Sequence, residues 1–342
     1  MTILLIEFAV LSAVILFAGT KVSRYGDAIA EKSGLGRTWI GVVLLASVTS
    51  VPELATGISS VTVIGAPDIA AGDVLGSCMF NLLIIALMDF FGGRQAISTR
   101  AHPGQIVAAG FGILLLSLVA LSLLGGSAIP SIGWVGLYSP LLLVLYVMAM
   151  RTVFLYERRR MALDPVDEPS LAGEETERLT LRQATARFSF FALFIIVAAS
   201  FLPRVGVGIA EASGLGQTFI GNLLIAFTTS LPELVVSLAA VRIGAIDLAY
   251  GNLLGSNLFN VGILAIDDFL LDEGPILAMV SPSHGIAALV AIAMTAVAIV
   301  ALTIRSERRF FLVAWESIVL VALYLTGAAL LFAMRVPAVH GG

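Results

Sequence analysis

The chain has 342 residues, of which 59% are hydrophobic and only 12% charged, with a formal net charge of −4. A soluble domain carries about 25% charged residues. Here apolar runs of about twenty residues, the length that crosses a bilayer as a helix, recur from end to end, which excludes a soluble fold. The single cysteine, Cys78, excludes an intrachain disulfide. The expected fold class is an all-α polytopic membrane protein.

Taken in chain order, the first run, 3–20, lacks a basic lead-in and a small-residue cleavage site, so it reads as a true first span and not a removed leader. Spans follow at 39–62, 68–90, 104–124 and 132–154, and then at 187–203, 218–241, 246–268, 284–304 and 311–334, ten in all. This divides the chain into a first five-helix unit at 1–155, a polar linker at 156–186 with a short helix at its end, and a second five-helix unit at 187–342. With the N-terminus outside, the inside loops collect nearly all Lys and Arg, including Lys21, Lys32, Arg37, Arg100, Arg158 and Arg242. The outside loops keep only Arg204 and Arg335, so the positive-inside rule places both termini outside and the linker in the cytoplasm.

The two units carry an internal duplication. "GDAIAEKSGLGRTWIGVVLLASVTSVPEL" from Gly26 matches "GVGIAEASGLGQTFIGNLLIAFTTSLPEL" from Gly206, with roughly 18 of 29 positions identical. After a one-residue slip, "GAPDIAAGDVLGSCMFNLLIIALMDF" matches "GAIDLAYGNLLGSNLFNVGILAIDDF". Five spans per unit is an odd number, so the second copy is expected to cross in the opposite sense. The basic residues follow that change: Lys32 and Arg37 become Ala212 and Gln217, whereas Thr62 becomes Arg242. Inverted repeats with interrupted spans are the pattern of secondary transporters, whose sites lie at the repeat interface near mid-bilayer.

The interruptions are Pro52-Glu53 and Pro232-Glu233. Proline has no N–H and clashes with the carbonyl four residues back, so both helices should break near mid-span and free carbonyls around Ala46 to Val48 and Ala226 to Thr228. Beside them stand Glu53 and Glu233, with the hydroxyls of Thr49, Ser50, Thr229 and Ser230 one turn back. Carboxylate, hydroxyl and carbonyl oxygens suit a hard cation such as Ca²⁺. A single Pro-Glu could be a kinked helix whose glutamate pairs with a basic residue, but no Lys or Arg falls mid-span. Two related glutamates therefore call for a bound cation or protons.

The next spans repeat the theme. Gly72, Gly76 and Ser77, like Gly251, Gly255 and Ser256, line one helical flank, where small residues serve close helix contact. Ser77 and Asn81, and Ser256 and Asn260, are i, i+4 pairs on one face. Asp73 shares the Ser77 face and is matched by Asn252. Asp68 and Asp247 open their helices and read as N-caps before ligands. Asp89, Asp267 and Asp268 sit at span ends and read as solvated, as do His102, His284 and His340.

The paired "TS-x-PE-L" and "GS-x-x-x-N" segments resemble the alpha repeats of the cation/calcium exchanger superfamily, most closely the prokaryotic sodium/calcium exchangers, over nearly the whole chain. The resemblance implies four clustered cation sites. Glu53 and Glu233 would be shared carboxylates, and Thr49, Ser50, Ser77, Thr229, Ser230 and Ser256 hydroxyl ligands. Ala46 and Ala226 would lend carbonyls, and Asn81 and Asn260 would complete the pocket, with Asp73 beside it. It implies that Na⁺ ions and one Ca²⁺ compete there, that the first and sixth spans slide to alternate access, and that no cofactor is used. Three positions depart from the family pattern. Asn260 stands where some members have Asp, which argues against potassium coupling. Asp73 and Cys78 each stand where Asn is common, and the added carboxylate keeps H⁺ open as the coupling ion.

The expectation is a Na⁺/Ca²⁺ antiporter in a prokaryotic cytoplasmic membrane, with a proton-coupled calcium exchanger as the alternative. Its partners are inorganic cations and the lipid bilayer, with no nucleic acid and no obligatory protein partner. A channel is disfavoured by two non-equivalent broken halves around one pocket. An intramembrane hydrolase, loosely suggested by "AAGDVLG", lacks the second positioned Asp that such chemistry shares a proton with.

Overall fold

The computed structural model describes residues 2–92, 95–163, 178–211, 223, 225–306, 309–310 and 313–334. Among these, eight helices are long and apolar enough to cross a membrane, and nine if a bent pair counts as one span. In chain order the first half has α1 (Thr2–Ser33), the bent pair α2 (Arg37–Thr49) and α3 (Val51–Ile64), α4 (Pro67–Phe91), the short α5 (Ile97–Arg100), α6 (Gln105–Gly125) and α7 (Tyr138–Leu163). The second half has α8 (Leu181–Glu211), α9 (Ala226–Thr229), α10 (Leu231–Arg242), α11 (Ile246–Leu270), the short α12 (Ile276–Met279), α13 (His284–Ile304) and α14 (Trp315–Ala333). The expected span 218–241 opens outside the described residues, and α9 and α10 are its described part. Ala212, Gln217, Arg335, His340 and most of the linker also lie outside them.

Proline sets the local breaks. Pro52 and Pro232 take the second position of α3 and α10, where a missing N–H costs least. The residue before each half-helix leaves helical geometry, Ser50 at φ −91°, ψ 10° and Ser230 at φ −84°, ψ 10°. The chain bends by 41° between α2 and α3. At the end of the linker, Thr180 and Gln183 form a reciprocal capping box at the start of α8. Gln183 N–H donates to Thr180 Oγ1 at 3.3 Å, and Thr180 N–H donates to Gln183 Oε1 at 2.9 Å.

The halves are interlaced. α4 of the first half packs against α13 and α14 of the second, and α11 of the second packs against α6 and α7 of the first. α4 and α11 also pack on each other at the centre, and most residues along both are buried. α1 and α8 lie side by side at the periphery and make their most extensive contacts with one another.

Matched acidic residues join the halves, and the sequence expectation for them needs correction. Asp89 and Asp268 are buried, not solvated. Asp268 accepts the N–H of Ile276 at 2.7 Å and of Gly136 at 2.9 Å, the hydroxyl of Ser139 at 2.6 Å and that of Tyr138 at 2.7 Å. Asp89 repeats this with the N–H of Ile97 at 3.1 Å and of Ala314 at 2.7 Å, and the hydroxyl of Ser317 at 3.2 Å. Each carboxylate thus ties the end of its own helix to a two-stranded hairpin, β1–β2 (Ser131–Ile132 and Val135–Gly136) or β3–β4 (Arg309–Phe310 and Val313–Ala314), and to the helix that follows it in the opposite half. A hydrogen bond to a charged group is worth about 1.5–3 kcal/mol net, so a span end that looked wet is a buried junction.

Asp68 and Asp247 lie in the first turn of α4 and α11, whose N-cap places are taken by Ala66 and Ala245. They also reach across: Asp68 accepts Ser281 N–H at 2.8 Å and contacts His284 Nε2 at 2.9 Å, and Asp247 accepts His102 N–H at 2.6 Å. His284 is accordingly buried instead of solvated. One further ion pair, Asp27 with Arg37 at 2.5 Å, is buried and pins the C-terminal part of α1 to the start of α2.

Candidate cation site

The two helix breaks face each other against α4 and α11. Glu53 lies in the first turn of α3 and Glu233 in the first turn of α10, where the positive end of the helix dipole favours a carboxylate. The breaks exchange hydrogen bonds. Ser50 Oγ donates to Glu233 Oε1 at 2.9 Å, and Ser230 Oγ donates to Glu53 Oε1 at 3.0 Å. Each motif therefore holds the other motif's glutamate.

α4 and α11 supply the walls. Ser256 Oγ donates to Glu233 Oε1 at 3.2 Å. Thr229 Oγ1 donates to Asp73 Oδ1 at 2.7 Å, and at the matched place Thr49 Oγ1 donates to Asn252 Oδ1 at 3.2 Å. Ser77 and Thr229 hydroxyls lie 3.4 Å apart, and those of Thr49 and Ser256 3.5 Å apart. Every residue expected at the site is fully buried: Ala46, Thr49, Ser50, Glu53, Asp73, Ser77, Asn81, Ala226, Thr229, Ser230, Glu233, Ser256 and Asn260.

Two details differ from expectation. The Ala46 and Ala226 carbonyls are not freed by the prolines, because they accept Ser50 N–H and Ser230 N–H, each at 3.0 Å. Proline removes the donor four residues after Val48 and Thr228 instead. Asn257, matched to Cys78 in the repeat, was missed. It bridges α11 to α4 by accepting Asn81 Nδ2 at 3.0 Å and donating to Cys78 O at 3.2 Å. The duplication offers the signal: aligning Cys78 with Asn257 exposes an amide on the site-facing side of α11.

The site leaves polar atoms unsatisfied. Glu53 Oε2, Glu233 Oε2, Asp73 Oδ2, Asn81 Oδ1 and both amide atoms of Asn260 are buried without a hydrogen-bond partner among the described residues. Native proteins rarely bury such groups without a reason. Glu53, Glu233 and Asp73 also act on one another electrostatically. The described ion pairs engage Asp27, Glu157 and Asp68, and none reaches these three carboxylates. No trio of His, Cys, Asp and Glu converges as a transition-metal centre would among the described residues. The donors are carboxylate, hydroxyl and amide oxygens, the set that fits a hard cation as cargo.

Comparison with known proteins agrees with this chemistry. Residues 3–155 and 184–333 match the family model described as sodium/calcium exchanger protein. CaxA of Alkalimonas amylolytica, which carries an antiporter name, is 29% identical over 262 residues, covering 74% of this chain and 76% of that protein. The sodium/calcium exchanger MaX1 of Methanosarcina acetivorans is 40% identical over 70 residues, 20% of each chain. Among solved structures, the sodium-calcium exchanger NCX_Mj superposes with a TM-score of 0.71 at 23% identity, covering 96% of this chain and 99% of that one, which establishes a shared fold. With both halves matched and a site built from buried oxygen donors, this integral membrane protein belongs to the sodium/calcium exchanger family.

Proposed function

We propose that the chain is a secondary antiporter that moves Ca²⁺ against Na⁺ through one site formed by the two helix breaks. The observation that carries this reading is the crossed pair of bonds, Ser50 to Glu233 and Ser230 to Glu53, which couples both halves at the buried carboxylates. Glu53 and Glu233 bind the cations with the hydroxyls of Thr49, Ser50, Ser77, Thr229, Ser230 and Ser256. The carbonyls of Ala46 and Ala226 contribute their second lone pairs. Asn81 and Asn260 close the set, and Asp73 adds a third carboxylate. One divalent ion or several monovalent ions neutralise the site, whereas an empty, charged site is too costly to carry through a dry barrier. Exchange is then obligatory.

The units 1–155 and 187–342 act as inverted repeats within a ten-span fold, joined by the linker 156–186. α1 and α8, peripheral and paired, slide as the moving element. Both termini face outside, the linker faces the cytoplasm, and the membrane is a prokaryotic cytoplasmic one. An impermeant thiol reagent should label a cysteine placed at Ser131 on intact cells and one at Arg178 only after the membrane is opened. The reverse pattern would invert this topology.

A proton-coupled exchanger is the second reading, favoured by Asp73, whose Oδ2 has no hydrogen-bond partner among the described residues. Calcium uptake into proteoliposomes separates the two. Uptake driven by an outward Na⁺ gradient and not by an outward proton gradient is the expected result. Uptake driven by protons alone would shift the assignment to proton coupling, and no calcium uptake in either case would reject calcium as the substrate.

A further inference from the structure

One buried carboxylate has no part in the scheme above. Asp267 near the end of α11 is fully buried, and neither of its oxygens has a hydrogen-bond partner among the described residues. It is seven residues from Asn260 and eleven from Ser256, so it continues the site-facing stripe of α11. Its carboxylate rests on Gly57 of α3, where a Cβ would come within 2.4 Å of Oδ2 and 2.7 Å of Oδ1. Gly57 is one turn beyond Glu53 on the same helix face, about 6 Å along the axis.

The duplication places a neutral side chain where this carboxylate stands. The position matched to Asp267 is Met88, which is also fully buried, and the position matched to Gly57 is Ser237. One half thus fills the place with a thioether, while the other removes a side chain to admit an acid. The titratable groups on the helices packed against α11 are Asp68, Asp73, Cys78 and Asp89 of α4, Glu53 of α3, Glu233 of α10, and Tyr138, Tyr146, Tyr156 and Glu157 of α7, with Asp247, Tyr250 and Asp268 on α11 itself. Of these, Asp73 acts electrostatically on Asp267, without a hydrogen bond between them. The basic residues on those helices and on α2 do not neutralise it: Arg37 pairs with Asp27, Arg160 pairs with Glu157, and Arg151, Arg158, Arg159 and Arg242 are exposed.

We propose that Asp267 is a proton-binding site, separate from the cation site and linked to it through the charge on Asp73. A lone buried carboxylate is neutralised either by a cation or by a proton. A cation needs several oxygens, and no hydroxyl or amide lies within hydrogen-bonding distance of either Asp267 oxygen among the described residues. A proton needs no co-ligand. Calcium arriving at Asp73 and the glutamates cancels negative charge, which favours the ionised form of Asp267 and releases its proton. By reciprocity, protonated Asp267 weakens calcium binding. This inference rests on the exchange reading of the site.

The test uses the full-length protein in detergent, titrated with calcium chloride in weakly buffered solution with a pH indicator near neutral pH. Wild type should release more protons per calcium bound than Asp267→Asn or Asp267→Met, the second borrowing the residue of the matched position. Above neutral pH both variants should bind calcium about 5-fold more weakly or worse, and their affinity should vary less with pH. Equal proton release and equal pH dependence in wild type and variants overturns the proposal. Failure of both variants to fold also overturns it, because it would make Asp267 a structural necessity. Wild type that binds no calcium rejects the exchange reading, and this inference with it.

Discussion

Glu53→Gln and Glu233→Gln should each lower calcium exchange by about 100-fold or more while leaving a folded, inserted protein. The substitution keeps size and one acceptor: a glutamine carbonyl can still receive Ser230 Oγ at position 53, or Ser50 and Ser256 at position 233. What disappears is half of the glutamate charge that opposes the ion. Losing one member of a buried charge pair costs about 2–5 kcal/mol, and about 2.8 kcal/mol already amounts to 100-fold in affinity. The measurement is isotope exchange in proteoliposomes, paired with size-exclusion profiles to confirm folding. Normal exchange in either variant would remove the two glutamates from the ion path.

Gly255→Ala should be nearly as damaging, for a purely steric reason. A Cβ at Gly255 would lie 2.4 Å from Val42 O and 2.6 Å from Val42 Cα, where ordinary contact begins at 3.4 Å. These are backbone atoms, so α2 would have to retreat by about 1 Å, and such overpacking costs about 1–3 kcal/mol. A Cβ at Gly251 would lie 2.7 Å from Thr38 O, and one at Gly41 2.6 Å from Leu248 O, so the contact runs along both helices. Because Ser256 follows Gly255, and α2 leads into Thr49 and Ser50, the retreat would pull the site's two walls apart. A misplacement of that size can cost about 100-fold in an enzyme, and a fall in exchange of about 10-fold or more is expected here, with a lower thermal midpoint. Gly110→Ala on α6 is the control, since a Cβ there meets nothing within 4 Å. Equal behaviour of the two variants would refute the close-contact argument.

The site was legible because two copies of one motif could be read against each other. Pro-Glu in an apolar run is ambiguous alone, but Glu53 and Glu233 at matched positions identify the place that both halves must share. The crossed bonding, with Ser50 serving Glu233 and Ser230 serving Glu53, is a matter of packing that no single segment encodes. Span ends were misread for a related reason. Asp89 and Asp268 look solvated because local hydropathy reports only the chain on either side. Their partners lie on the hairpins that precede α14 and α7, each more than a hundred residues away. The repeat alignment already pairs these two aspartates, and that match was the available clue. Asp267 shows the limit of that approach, because its meaning depends on a difference between the copies, Met88 in one and a carboxylate over Gly57 in the other.

The interlaced packing of α4 with α13 and α14, and of α11 with α6 and α7, has a consequence for biogenesis. Neither half completes its own interior. A nascent chain emerges N-terminal end first, so α4 enters the membrane before the helices that cover it have been synthesised. Until then Asp89 lacks Ala314 and Ser317, and Glu53 lacks Ser230, so the first half waits with acidic groups facing lipid or water. Assembly is therefore a late event in which the second half threads its helices between those already inserted. A chain truncated after α7 would be left as an unsealed intermediate, exposed to the quality-control proteases of the membrane.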